Sequence, residues 1–153
     1  MDLPDPASVV RAEGPWTHRE ITANACRFHL VEAGEGPLVI LLHGFPTFWW
    51  TWRQQLVTLA DAGYRAVAMD MRGYGGSDHT PHGYDPLTLA ADVTGLIRTL
   101  GEQEAVVVGH GWGGTGATSP PADFAAAGYN VLTWDARGFG GSGGTVMIDH
   151  PRF

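Results

Sequence analysis

Three short, glycine-rich stretches each follow an apolar run, and they hold most of the residues able to do chemistry. They are His43-Gly44-Phe45-Pro46, Asp70-Met71-Arg72-Gly73-Tyr74-Gly75-Gly76-Ser77 and Gly109-His110-Gly111-Trp112-Gly113-Gly114. The carboxyl ends of strands in open α/β sheets are where ligands bind, so all three are candidate site loops. Two further patterns bear on chemistry. Gly140-Gly141-Ser142-Gly143-Gly144 fits the Gly-x-Ser-x-Gly pattern of a serine nucleophile. Such a turn must pass directly from strand to helix, whereas here a long loop precedes Ser142 and Pro151 follows. Gly109-x-Gly111-x-x-Gly114 fits a dinucleotide-binding fingerprint, with Asp135 placed 21 residues beyond Gly114, where a ribose-binding carboxylate would stand. A bound phosphate needs the N-terminus of a sound helix, and Pro120-Pro121 cuts that helix short.

Other polar residues have quieter readings. Asp70 with Arg72, and Asp135 with Arg137, could form charged catalytic pairs, but loop-fixing hydrogen bonds explain them better. His43 is read as bracing the turn it begins rather than transferring a proton. Trp49 and Trp52 stand at helical spacing and belong to packing, which leaves Trp50 as the pocket-lining candidate. His79 and His82 lack a third ligand nearby, so no metal is expected. Cys26, the single cysteine, excludes a disulfide framework and reads as a small buried hydrophobe.

The elements that must position these loops are legible in the apolar pattern. Residues 20–33 partly alternate and predict a hairpin or strand pair. Leu38-Val39-Ile40-Leu41-Leu42 is wholly apolar, as suits a parallel strand covered on both faces. Residues 48–62 show helical spacing, with Trp49, Trp52, Leu56 and Leu59 on one face and Gly63 at the end. Arg65 to Asp70 predicts a second buried strand. Asp85-Pro86 starts a helix whose stripe is Leu89, Val93, Leu96, Ile97 and Leu100, ended by Gly101. Ala105 to Val108 predicts a third buried strand. Strands and helices in alternation predict an α/β fold, a mostly parallel sheet with flanking helices.

Composition narrows the class of protein. The 153 residues suffice for one domain with a core but not for two. Sixteen acidic residues oppose nine basic ones, all arginine, for a formal net charge of −7. No basic run exists, so no nucleic-acid partner is expected. The longest aliphatic run falls far short of the ~20 residues needed to span a bilayer, so no membrane partner is expected. The N-terminus lacks the basic and apolar parts of a secretion signal, which predicts a cytoplasmic protein.

One repeat cuts across this plan. Ala62 to Ser77 is echoed by Ala127 to Ser142, with nine of sixteen pairs identical, including Asp70/Asp135, Arg72/Arg137 and Ser77/Ser142. The chain therefore divides into a loose, acidic, proline-rich arm over 1–16, a core over 17–116, and a partial repeat over 117–153. Within the repeat a short helix over 122–127 and a strand over 130–134 are expected, and no regular element over 138–153.

In order and context the three loops resemble the α/β-hydrolase superfamily, and within it the epoxide hydrolase and haloalkane dehalogenase branch. His43-Gly44-Phe45-Pro46, the tryptophan-rich helix after it and the Gly109-His110-Gly111-Trp112-Gly113-Gly114 turn carry the resemblance over residues 18–114. Residues 121–144 resemble the strand and Asp-x-Arg-Gly-x-Gly-x-Ser loop of a different branch, as if two amino-terminal segments were joined near 110–116. The resemblance implies the amino-terminal half of an α/β-hydrolase fold. It also implies hydrolysis of a small organic epoxide, halide or ester without metal or organic cofactor. It places the nucleophile, normally an aspartate, at Gly111, the oxyanion-hole N–H groups at Phe45 and Trp112, and a leaving-group contact at Trp112. His43 and Trp50 are the remaining candidate binding residues.

This chain departs from that pattern at the decisive position. Glycine offers no attacking atom, and His150 is the sole histidine after the turn. The expectation is a hydrolase relative with weak or no turnover. The alternatives are an active hydrolase with an unrecognised nucleophile or a completing partner chain, and a dinucleotide-binding module at Gly109 to Gly114. An amino-terminal half would leave a sheet edge and a core face uncovered, which predicts a homodimer or poor solubility.

Overall fold

In the computed structural model, residues 5–110 are described. The readings made at Gly111, Trp112, Asp135, Arg137, Ser142 and His150, and the elements expected over 122–134, lie outside the described residues.

Five strands form one sheet in the order β1-β2-β4-β3-β5. They are β1 (Thr17–Ala23), β2 (Cys26–Ala33), β3 (Leu38–Leu42), β4 (Arg65–Met69) and β5 (Val106–Gly109). The hairpin expected over residues 20–33 is β1 paired antiparallel to β2, turning through Asn24 and Ala25, both at positive φ. β2 pairs antiparallel with β4, while β3 runs parallel to both β4 and β5. The parallel part is therefore β4-β3-β5, and the hairpin makes the sheet mixed.

The wholly apolar runs follow from cover on both faces. Phe28, Leu30, Ile40, Val67 and Met69 pack under helix α3 (Pro86–Thr99) with Val93, Leu96 and Ile97. Val31, Val39, Leu41, Ala66 and Ala68 pack on the other face against Trp49, Trp52 and Leu56, the last from helix α2 (Arg53–Asp61). Neighbours along each strand thus point into opposite cores, and both cores are apolar.

Helix α3 begins and ends where the sequence places it. Asp85 caps it by accepting from the Thr88 N–H at 3.0 Å, with Pro86 in the first turn. Its end turns through Gly101 at φ +90°, with the Glu102 N–H returning to the Ile97 carbonyl.

Three expectations need correction. The helix expected from residue 48 opens with a 3-10 turn, Trp49–Trp52, before α2 starts at Arg53. The three-residue spacing of Trp49 and Trp52 suits that tighter turn, and the Trp49 N–H is taken by Asp70 rather than by the helix. The third strand is not buried as expected, since Val106 is 56% exposed. Among the described residues β5 pairs only with β3, which makes it an edge. The loose arm is fastened. Residues Pro6–Val10 form helix α1, capped by Asp5. At its end the Val10 carbonyl accepts from Trp49 Nε1 at 2.7 Å, and beyond it the Ala12 carbonyl accepts from Trp16 Nε1 at 3.0 Å and from His18 Nε2 at 2.9 Å. Acidic, proline-rich composition does not show that its carbonyls meet buried donors from the domain.

Candidate functional site at the carboxyl ends of the parallel strands

β3, β4 and β5 run in one direction, so His43, Asp70 and His110 emerge at one end of the sheet. His43 is almost fully buried and links two loops. Its Nδ1–H donates to the Gly44 carbonyl, and its Nε2 accepts from the Met71 N–H, each at 3.0 Å. Those partners define a neutral ring with the hydrogen on Nδ1. The ring also meets Tyr74 edge-on at 5.0 Å. Both nitrogens are occupied in bracing, which leaves neither available for a substrate in this arrangement.

Burial pushes the His43 pKa below its ordinary 6.5, outweighing the upward pull of the Gly44 carbonyl and of Asp70. Burial also lowers the pKa of His110. As pH falls the unfolded chain takes up these protons before the folded one does. Their contribution is therefore complete above the ordinary histidine range and is lost as pH drops through and below it. The urea midpoint is expected to fall between about pH 7.5 and about pH 5.5, and to fall less in His43→Gln. Identical pH profiles for the two proteins would contradict the assignment.

Asp70 organises the second loop from a fully buried position. Its Oδ1 accepts from the Trp49 N–H at 2.7 Å, and its Oδ2 accepts from the Gly76 N–H at 2.9 Å and from His29 Nδ1 at 2.8 Å. Ser77 Oγ donates to the Asp70 carbonyl and accepts from the His29 N–H. Gly75 sits at φ +51°, where a Cβ would come within 2.0 Å of Asp70 Oδ2, so both the backbone angle and the carboxylate require glycine there. Behind Asp70 the contact continues, with His29 Nε2 lying 3.0 Å from His18 Nδ1, and His18 Nε2 donating to the Ala12 carbonyl.

The third polar group lies beneath the same loop. Arg72 Nε and Nη2 donate to the two carboxylate oxygens of Asp92, at 2.9 and 2.6 Å, and Asn24 Nδ2 donates to Asp92 Oδ1 at 2.7 Å. The Asp92 contact raises the Arg72 pKa still further. The charged pairs suspected at Asp70 and Arg72 are thus two separate structural networks, one reaching back to the hairpin and the other to α3.

The remaining candidates are only partly brought together. Phe45 stands two residues after His43, with a cis bond to Pro46 and a half-exposed side chain. His110 leaves β5 with its ring 5.0 Å from Trp52. Trp50, the pocket candidate, instead packs edge-on against Trp49 and Trp16, and the Arg53 guanidinium lies 5.0 Å over its ring. Its apolar faces are used in packing at the arm rather than at the strand ends. A cavity of about 700 Å³ does exist, but it lies at the other end of the sheet, among Trp16, Arg19, Glu32, Arg65 and Glu102. Within it Arg65 pairs with Glu32 and Glu102, and Arg19 with Glu32. Among the described residues no cluster of His, Cys, Asp and Glu could hold a metal ion, and no helix is long and apolar enough to cross a membrane.

Sequence reasoning passed over His18, His29, Asn24 and Asp92. A signal existed for two of them. His29 interrupts the apolar run Phe28 to Val31, and Asp92 falls at core spacing from Leu89 and Leu96.

A family model described as the alpha/beta hydrolase fold matches residues 37–124. The chain belongs to that family. Within it the likeness is to the epoxide hydrolase branch. Epoxide hydrolase A of Mycobacterium tuberculosis is 48% identical over 104 residues, covering 65% of this chain and 32% of its own length. Epoxide hydrolase 3 of Siraitia grosvenorii is 44% identical over 98 residues, covering 63% and 31%. Among solved structures, the epoxide hydrolase VrEH1 of Vigna radiata superposes with a TM-score of 0.62 at 41% identity, covering 65% of this chain and 32% of that one. An epoxide hydrolase from an endophytic Streptomyces gives 0.64 at 50% identity, covering 67% and 32%. The matched region spans about a third of the length of these relatives.

Proposed function

We propose that this chain carries the loop scaffold of an epoxide hydrolase-like site but supplies no attacking group, so that by itself it turns over small organic substrates weakly or not at all. One observation carries the reading, the glycine at position 111. In the family chemistry a carboxylate at the turn after β5 attacks carbon, a C–O ester bond forms as the leaving group departs, and water then hydrolyses the ester. Gly111 presents hydrogen where that carboxylate would be. The backbone N–H groups of Phe45 and Trp112 remain as oxyanion donors, and Trp112 as the leaving-group contact. Donors without a nucleophile retain at most about 10³–10⁴-fold over the reaction in water. The support for placing a site here at all is the convergence of His43, Asp70 and His110 at the carboxyl ends of β3, β4 and β5.

The test is intact-protein mass spectrometry after incubation with a reactive epoxide and with an activated ester, alongside steady-state turnover. The unmodified chain is expected to show no adduct. Ser142→Ala is expected to change nothing, and Gly111→Asp is the variant in which one adduct per chain is expected. An adduct on any side chain of the unmodified protein, or turnover abolished by Ser142→Ala alone, would overturn the proposal.

A further inference from the structure

Asp70 is tied to the amino-terminal arm through both of its carboxylate oxygens. Oδ1 accepts from the Trp49 backbone N–H at 2.7 Å, and the indole Nε1–H of the same residue donates to the Val10 carbonyl at 2.7 Å. Oδ2 lies 2.8 Å from His29 Nδ1, and His29 Nε2 lies 3.0 Å from His18 Nδ1. His18 Nε2 then donates to the Ala12 carbonyl at 2.9 Å. Two paths thus leave one carboxylate and end on carbonyls of Val10 and Ala12. They also touch along their length. The His18 and His29 rings stack at 5.2 Å, and His18 meets Trp49 edge-on at 5.4 Å.

A third contact joins the arm to the loop after β4 directly. A Cβ on Gly76 would come within 2.9 Å of His29 Cβ and 3.2 Å of Val10 Cγ1, so glycine at this position lets arm and loop meet. Gly76 gives its own N–H to Asp70 Oδ2 at 2.9 Å. The same loop then reaches the strand-end site, since the Met71 N–H donates to His43 Nε2 and the Tyr74 ring lies against His43. Asp70, His29 and Trp49 are each wholly buried. Bulk water therefore does not simply replace a partner lost from this network.

We propose that residues 10–12 form a two-point strap whose seating sets the loop 71–77, so that a change at the arm is felt at the His43 turn. Unseating the strap strands two donors, Trp49 Nε1 and His18 Nε2, on the residues that lead to Asp70. The terminal torsion of an aspartate is soft. A carboxylate held from both oxygens keeps one orientation, and the Gly76 N–H that depends on it stays in place. Trp49 and His18 are therefore positioning residues, acting on the loop through Asp70. Coupling between two places is reciprocal, so strain put into the loop must in turn loosen the strap. The strap concerns positioning alone and holds whether or not the chain turns anything over.

Hydrogen exchange in the full chain, followed by nuclear magnetic resonance, tests it. In the unmodified protein the Gly76 amide and the Trp16 and Trp49 indole hydrogens are expected to share one opening free energy and one dependence on low urea. Trp49→Phe keeps the backbone N–H on Asp70 and removes the bond to Val10, while His18→Leu cuts the other path. Each is expected to speed Gly76 exchange about two- to tenfold, the size of one net hydrogen bond. The double variant should exceed the product of the two, because one remaining point keeps the strap near its seat. Gly76→Ala, made at the loop, is expected to speed exchange of both indole hydrogens. Val93→Ala, under the opposite face of the sheet, is the control. It should speed the Val67 amide of central β4 and leave Gly76 unchanged, since a local opening does not follow global stability. Gly76 exchange that tracks Val67 in every variant would overturn the proposal. So would indole hydrogens that open independently of Gly76 in the unmodified chain, a measurement that stands even if a substituted chain misfolds.

Discussion

Asp92→Ala is expected to destabilise the protein by about 3–5 kcal/mol, because it strips a buried guanidinium of the one carboxylate it pairs with among the described residues. Arg72 and Asp92 are almost wholly removed from water. Their fork-to-fork hydrogen bonds, with Asn24 as a third member, replace the hydration both charges lose. With Asp92 gone, the partners left to Arg72 among the described residues are the Thr80 hydroxyl and the Asn24 carbonyl, at 3.2 and 3.4 Å, neither of which carries a charge. The pair also joins three elements distant in sequence, namely the hairpin turn, the loop after β4 and helix α3. Urea unfolding measures the effect. The double variant Arg72→Met with Asp92→Leu should recover much of the loss, since replacing both ions with apolar groups avoids the stranded charge. A loss below about 1 kcal/mol in Asp92→Ala would show that Arg72 reaches water in solution.

Asp70→Ala is expected to cost a comparable amount, above about 3 kcal/mol, and to disorganise the loop that follows β4. Removal of this carboxylate leaves the Trp49 and Gly76 N–H groups and the His29 ring without their acceptor, and each unmet buried donor costs about 1–3 kcal/mol. Asp70→Asn should do little better. Its amide can accept from Trp49, but it turns an NH2 group towards the donors of His29 and Gly76. Gly75→Ala reaches the same carboxylate independently, because its Cβ falls where Oδ2 lies. Unfolding measurements on all three should agree in direction, with loss of the Met71 to Ser77 amide dispersion as the local sign. If Asp70→Asn matched the parent in stability, the three-donor arrangement would be refuted.

Much of the architecture was legible because its causes are local. β3 and β4 announce themselves as continuous apolar runs, and the ends of α3 are set by the chemistry of Asp85, Pro86 and Gly101. The exposure of Val106 in β5 was not legible, since Ala105 to Val108 is as apolar as β3, and only the sheet shows that among the described residues β5 has one bonded neighbour. The packing of Trp50 was not legible for a similar reason. An indole offers the same surface to a ligand or to other tryptophans, and the nearness of Trp16 and Arg53 decides which.

By itself the sequence determined the fold family, the places of the three strand-end loops and the absence of a side chain at position 111, because motif order and residue identity are properties of the chain. Only the tertiary structure decided what Asp70, Arg72, His29 and His43 do. Their partners lie 20 to 41 residues away, at Asp92, Met71, Trp49 and one another. Once water is excluded, a polar group must bond to whatever the fold brings within about 3 Å. Spacing along a chain does not contain that distance.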